Sequence, residues 1–216
     1  TSDGGYLILG SRKTDLSDFA GVYLLKVDEA GNFVSEIDYS ASLVHPLDEI
    51  LEIGNSFYMV AMDPINLEAV LVTIQESGET GDITPLGGFI YPLGVGTDGN
   101  NIILQSFNLD DKLTVMSVHN VSGQVTLTKT FSIGPGSDYV IPVLEHFTET
   151  GKQLPFKAGK LPGGTFYFNG FYNYTFSLVF TNLQDDEPQG VTQGQHEDGG
   201  ISAVQPLQGQ EFAIAS

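Results

Sequence analysis

The first residues in this sequence whose types could do chemistry are two histidines with carboxylates close by. His45 is followed by Asp48 and Glu49, and His146 by position adjoins Glu145, with Tyr139 a few residues earlier. A carboxylate beside an imidazole is a pairing that general acid–base catalysis uses, because the two groups can exchange a proton within hydrogen-bond reach. A hydrated wall of polar side chains is the plainer expectation for the same residues. The four histidines, at 45, 119, 146 and 196, show no pairing at metal-ligand spacing, and His119 falls in a hairpin turn where exposure is expected. Zinc has no ligand set here.

A second group is acidic and sits in turns. Asp15, Asp18, Asp63, Asp110 and Asp111 fall in loops that the repeat described below carries to one face, and Tyr172 ends a strand leading into a loop of the same kind. Hard cations such as calcium take several oxygens from such loops, so calcium is the one cofactor these residues could serve; ordinary solubilising charge is the plainer reading of them. As a ligand rim, these six residues would attract a neutral or cationic partner and repel phosphate or acidic polysaccharide. An aromatic run, Phe166, Tyr167, Phe168, Phe171, Tyr172 and Tyr174, would suit stacking on an uncharged sugar where exposed, although strand alternation buries half of it.

Other signatures are weaker. Gly94-Val95-Gly96-Thr97-Asp98-Gly99 matches G-x-G-x-x-G, but a strand-like Ile102-Ile103-Leu104 follows where a dinucleotide site needs a helix, so the glycines read as hairpin residues. Eight basic against 27 acidic residues give a formal charge of −19, which excludes nucleic acid as a partner. No apolar run approaches the roughly 18 residues of a membrane-spanning helix. With no cysteine there is no disulfide and no thiolate chemistry. A signal peptide or lipid anchor, if the protein has one, is expected outside residues 1–216.

The elements that must position these residues follow from an internal repeat. A Gly-rich turn leads at once into a short aromatic or aliphatic strand at Gly5, Gly54, Gly99, Gly164 and Gly209, with spacings of 49, 45, 65 and 45 residues. A second turn recurs between them, at Gly31, Gly78 and Gly123. Glycine in a short polar turn between β-rich runs closes a hairpin, because it supplies the positive φ that such loops need. Two hairpins per period of about 45 residues is the composition of a four-stranded propeller blade.

The expected fold is therefore all-β, a β-propeller of antiparallel four-stranded blades in a partial ring of about four and a half blades. With strands lettered A to D from the axis outward, one propeller domain over 1–216 divides into five blades. Blade 1, about 1–40, lacks its inner strand. Blade 2, about 41–88, has strands near 43–50, 56–62, 68–74 and 81–86. Blade 3, about 89–134, has strands near 90–96, 101–107, 113–118 and 124–131. Blade 4, about 135–198, has A near 139–145 and B at 165–171, separated by an insertion from Phe147 to Leu161 that carries Lys152, Lys157 and Lys160. Its residues 184–200 read as a weak outer strand or a surface loop. Partial blade 5, about 199–216, supplies an A and a B strand. Four and a half blades do not close a ring, so the chain reads as a contiguous piece of a longer propeller.

Ser2-Asp3-Gly4-Gly5-Tyr6-Leu7-Ile8-Leu9-Gly10-Ser11, followed by Val22-Tyr23-Leu24-Leu25-Lys26-Val27-Asp28-Glu29-Ala30-Gly31-Asn32, resembles the repeat of exported bacterial β-propellers that read DGGY…GS…YLLKxDxxGN. Surface lipoproteins of Bacteroidetes are similar. The match covers about 40 residues, and Phe33 and Val34 stand where that repeat usually places a tryptophan. The resemblance implies an exported protein of the cell surface or periplasm and brings no catalytic residues. The expected function is a non-catalytic interaction module that binds a glycan or protein partner through one propeller face. The alternative is a propeller-fold carbohydrate-active enzyme, a glycoside hydrolase or lyase, with carboxylates at the channel mouth.

Overall fold

Gly31, Gly78 and Gly123 all have positive φ, between 80° and 87°. In each turn the residue three before the glycine accepts the glycine's N–H and donates its own N–H to the carbonyl of the residue after the glycine: Asp28 with Gly31 and Asn32, Gln75 with Gly78 and Glu79, Asn120 with Gly123 and Gln124. A type I turn closed by a left-handed residue has this pattern, and an L side chain at that φ costs roughly 1–2 kcal/mol, which explains the repeated glycine.

A computed structural model describes residues 1–13, 20–88, 90–108, 110–111, 113–131, 156–172, 175–193, 203–206 and 212–215. They contain strands only: β1 (Tyr6–Lys13), β2 (Ala20–Val27), β3 (Phe33–Asp38), β4 (Leu51–Ile53), β5 (Ser56–Asp63), β6 (Glu68–Ile74), β7 (Thr80–Gly88), β8 (Ile90–Thr97), β9 (Ile102–Asn108), β10 (Thr114–His119), β11 (Val125–Phe131), β12 (Ala158–Lys160), β13 (Phe166–Tyr172), β14 (Thr175–Thr181), β15 (Gly190–Gln193), β16 (Ala203–Pro206) and β17 (Phe212–Ala215). All pairings are antiparallel between sequence neighbours, as in β1 with β2 or β13 with β14. The sheets run β1-β2-β3, β4-β5-β6-β7, β8-β9-β10-β11, β12-β13-β14-β15 and β16-β17. The fold is all-β, built of antiparallel four-stranded meanders, and the first sheet has three strands.

Two inner strands differ from the sequence reading. The A strand of the second blade was expected at 43–50, but regular pairing begins only at Leu51, opposite Tyr58. His45 has φ 54° and Pro46 has no N–H to donate, so this stretch forms two isolated bridges at Val44, to Gly21 on one side and to Met62 on the other, with single bonds from His45 to Ala20 and from Leu47 to Val60, and no regular strand. In the fourth blade the strand paired with β13 is β12, with Ala158 opposite Phe168 and Lys160 opposite Phe166. The segment read as an insertion thus supplies the inner strand, and residues 139–145 lie outside the described residues. The polar stretch after 184 does contain a short outer strand, β15, paired with β14.

The chain packs as two compact units, Thr1–Pro92 and Leu93–Ser216. In the first, Val22 and Leu24 of β2 meet Met59 and Ala61 of β5 and Val70 and Val72 of β6, with Leu7 and Leu9 at the margin. In the second, Ile103, Met116 and Phe131 pack against Ala158, Phe166, Phe168 and Val179. Each fully buried large side chain of this kind contributes about 1.5–3 kcal/mol over its exposed state, so the contact between successive sheets holds each unit together. No helix among the described residues is long and apolar enough to cross a membrane.

Candidate functional site

The B–C loops are where the sequence places its ligand rim. In the β5–β6 loop, Oδ1 of Asp63 accepts the N–H of Ile65 at 2.8 Å and of Asn66 at 3.2 Å, and Oδ2 accepts Asn66 Nδ2 at 2.8 Å. Burial pushes the carboxyl pKa up, but these hydrogen bonds to the charged form outweigh it and the net shift is downward. Asp63 therefore shapes its own loop. The loop instead presents Ile65, 84% exposed, and Leu67, held at φ 54° where a leucine is strained.

In the β9–β10 loop Asn108 takes the place of Asp63. Its Oδ1 accepts the N–H of Asp110 at 2.8 Å and of Asp111 at 3.2 Å, while Asp111 Oδ1 accepts the N–H of Leu113 at 3.0 Å. Asp110 and Asp111 are both exposed and share this single turn. Asp15 and Asp18 lie outside the described residues. Tyr172 closes β13 by backbone pairing with Thr175, and its side chain lies outside the described set.

The same cap recurs away from these loops. Asp98 accepts the N–H groups of Asn100 and Asn101 in an A–B hairpin, and Asn182 those of Gln184 and Asp185 between a C and a D strand. An Asx side chain that bonds the backbone two and three residues on is a local device for turning the chain. Asp63 and Asp111, candidate ligands in the sequence, thus bond the backbone of their own turns. Among the described residues no three His, Asp or Glu side chains gather as a metal site.

The histidines behave differently from expectation. His45 is buried; its Nε2–H donates to the carbonyl of Pro92 at 2.8 Å, and Nδ1 accepts the hydroxyl of Tyr91 at 3.0 Å. Burial lowers its pKa to about 4 although the Pro92 carbonyl opposes the shift. With both ring nitrogens engaged, His45 is a neutral staple between its own segment and Tyr91-Pro92. Asp48 is exposed and Glu49 half-buried. His146, Glu145 and Tyr139 lie outside the described residues.

His119, expected on the surface, is 1% exposed at the end of β10. Its Nδ1–H donates to the Gly123 carbonyl at 3.2 Å, and its Nε2 accepts the hydroxyl of Ser117 at 2.8 Å. The signal for this pair is in the sequence: residues 117 and 119, two apart on a strand, point to one face. A serine hydroxyl bonded to an imidazole is the first half of an activated nucleophile. Here both partners are buried, Ser117 at 6%, and the pair ties the strand to its turn.

Of the aromatic run, Phe166, Tyr167 and Phe168 are interior, and the side chains of Phe171, Tyr172 and Tyr174 lie outside the described residues. Phe166 and Phe168 belong to the core against Phe131, while Tyr167, on the opposite face, packs with Leu161 and Leu178. Alternation is expected to leave half of such rings exposed, yet Phe166, Tyr167 and Phe168 are all buried. In the segment read as an insertion, Lys160 ends β12, reaches Asp98 at 3.7 Å and lies 5.0 Å over the Phe166 ring, while Lys157, just before β12, donates its backbone N–H to Asn169 Oδ1. Lys152 lies outside the described residues. Gly94 and Gly96 serve close packing, since a Cβ on Gly96 would stand 2.1 Å from the Ala158 carbonyl oxygen, and one on Gly94 3.0 Å from that of Phe156.

No protein-family model matches the chain. No curated protein matches it either. Among solved structures it is similar to one described as the structure of the Dos1 propeller, at 9% sequence identity and a TM-score of 0.44, over 86% of this chain and 46% of that one. The chain thus spans about half the length of that structure.

Proposed function

We propose that this chain is part of a propeller-type interaction module of an exported protein of the cell surface or periplasm, non-catalytic, which binds a glycan or protein partner through the face carrying its B–C loops. The observation that carries this reading is the β5–β6 loop: its carboxylate is turned onto its own backbone while Ile65 stands at the tip, 84% exposed. A displayed aliphatic side chain in one B–C loop and exposed acids, Asp110 and Asp111, in another suit a partner surface with apolar and neutral or basic groups. The formal charge of −19 favours the same sign of partner. The enzyme alternative would draw on a free acid–base residue at the channel mouth, and both ring nitrogens of His45 are already bonded.

The test is binding of the chain to arrayed neutral glycans, acidic polysaccharides and basic or neutral proteins, with Ile65→Ser and the triple variant Asp110→Ala, Asp111→Ala, Tyr172→Ala alongside. Binding to a neutral or basic ligand that weakens at least about tenfold in either variant, a loss of some 1.4 kcal/mol, is the expected result. Preference for acidic polysaccharide, or affinity unchanged in both variants, removes the B–C loops as the binding face.

A further inference from the structure

Two B–C turns are built alike and carry different tips. Asp63 stands opposite Glu68, and its carboxylate accepts the N–H groups of Ile65 and Asn66. Asn108 donates its N–H to the carbonyl of Leu113 at 2.9 Å, as far along the chain as Glu68 is from Asp63, and its side chain accepts the N–H groups of Asp110 and Asp111. Asp110 and Asp111 thus occupy the places of Ile65 and Asn66, and the same cap closes the turn over a charged tip. Folding does not require an aliphatic one.

The β5–β6 turn nevertheless displays two aliphatic side chains. Ile65 is 84% exposed and Leu67 36%. Leu67 holds φ at 54°, whereas Gly31, Gly78 and Gly123 fill the left-handed positions of the β2–β3, β6–β7 and β10–β11 turns. An L side chain is disfavoured there because its Cβ crowds the following carbonyl oxygen. Neither Ile65 nor Leu67 belongs to the core of its unit, so no burial offsets that strain.

The chemistry of this tip selects among partners. From Asp63 to Glu68 no side chain is aromatic, and the amide of Asn66 and the carboxylate of Asp63 bond each other at 2.8 Å. A sugar, held by hydrogen bonds around its ring and by stacking on aromatic faces, finds little here. Asp63 and Glu68 stand directly opposite each other at the base, two carboxylates beneath two aliphatic side chains. Insertion into a bilayer would press both acids against the hydrocarbon boundary and desolvate them. A protein surface can present apolar and basic groups together and so match both parts.

We propose that Ile65 and Leu67 together form a plug for an apolar socket on a partner protein, whose rim carries lysine or arginine facing Asp63 and Glu68. This role rests on the reading of the B–C loops as the binding face, and it selects a protein over a glycan there. The Asp63 cap fixes the plug before contact, so little conformational freedom is lost on binding.

The probes are arrayed purified proteins from acidic to basic, arrayed uncharged glycans, and phosphatidylcholine vesicles. The native chain is compared with Ile65→Asn, Leu67→Asn, the two combined, and the triple variant Asp110→Ala, Asp111→Ala, Tyr172→Ala. The expected ligands are neutral or basic proteins, bound at least about tenfold more weakly by Ile65→Asn and by Leu67→Asn. Leu67→Asn should meanwhile unfold at the same or a higher urea concentration than the native chain, because asparagine tolerates this φ. A purely structural leucine would give the reverse, lowered stability with binding kept, and that result overturns the proposal. Failure of every arrayed protein to distinguish the native chain from the double variant also overturns it, as does a glycan or a vesicle being the ligand that the double variant loses. Should Leu67→Asn not fold, Leu67→Gly takes its place in each comparison. Protein binding lost in the triple variant and kept in the double one removes the plug and leaves the B–C face standing. Binding unchanged in both removes the two together.

Discussion

The ammonium of Lys26 lies 2.8 Å from Oδ1 of Asp3, although the lysine side chain is 2% exposed and the aspartate 61%. Asp3 Oδ1 also accepts the Gly5 N–H at 3.0 Å, and the Thr1 hydroxyl bonds both Asp3 and Lys26. These bonds, that to Lys26 foremost, hold the Asp3 carboxyl far below the usual carboxylate range. A Cβ at Gly5 would stand 2.4 Å from the Val27 carbonyl and 2.8 Å from the Lys26 ammonium. The DGGY and YLLK halves of the opening repeat are one physical unit, in which a turn aspartate neutralises a lysine that the sheet buries.

The two partners are unequal, and their variants should be too. Asp3→Ala leaves a buried ammonium with a weakened partner set, whereas Lys26→Met removes the buried charge and leaves an exposed carboxylate in water. Thermal unfolding should place Asp3→Ala below Lys26→Met, with the double variant no worse than Asp3→Ala alone. The reverse order would mean that Lys26 contributes mainly through packing of its stem.

Gly96 and Gly99 occupy one G-x-G-x-x-G match for opposite reasons. Gly96→Ala drives a methyl to 2.1 Å from the Ala158 carbonyl, whereas nothing lies within 4 Å of a Cβ at Gly99, whose φ is 90°. Urea unfolding should show Gly96→Ala losing about 1–3 kcal/mol or more by overpacking. Gly99→Asn, a residue that tolerates positive φ, should lose under about 1 kcal/mol.

His45 should make stability depend on pH. Its folded pKa, lowered to about 4, lies below its value of 6.5 in the unfolded chain, so the unfolded state binds the proton more readily. The stabilisation is present above pH 6.5 and is lost as the pH falls toward 4, up to about 3 kcal/mol at the end of that window. His45→Asn keeps a residue that accepts positive φ and removes the titration. Unfolding free energies measured at pH 7, 5.5 and 4 should show the gap between the native chain and this variant narrowing with acid, and a constant gap would contradict the assignment.

Phe168 is fully buried and its ring centroid lies 5.4 Å from that of Phe131, while Phe33 is 64% exposed. Phe168→Ala should cost about 3–5 kcal/mol in chemical denaturation. Phe33→Ser should stay within about 0.5 kcal/mol, as surface changes away from special features do.

What was legible in the sequence is what depends on a residue and its nearest neighbours along the chain. Gly31, Gly78 and Gly123 mark hairpins because positive φ is a property of one residue, and the strands on either side of them, β2 and β3, β6 and β7, β10 and β11, follow from short β-rich runs between such turns. The Asx caps at Asp63, Asp98 and Asn108 are equally local, reaching only two and three residues on, yet in the sequence Asp63 passes for a ligand acid because a carboxylate used by its own backbone has the same letter as a free one. Only the tertiary structure decided which stretch takes the inner position beside β13: residues 139–145 and Ala158–Lys160 both follow apolar or small-residue patterns, and the choice falls to Ala158 because it fills the core against Phe168 and because Gly96 lets the Ala158 backbone come close. Burial of His119 and of Phe166, Tyr167 and Phe168 on both faces was likewise undecided by alternation, which assigns a side chain to one face of its sheet but carries no information on whether a second sheet covers that face.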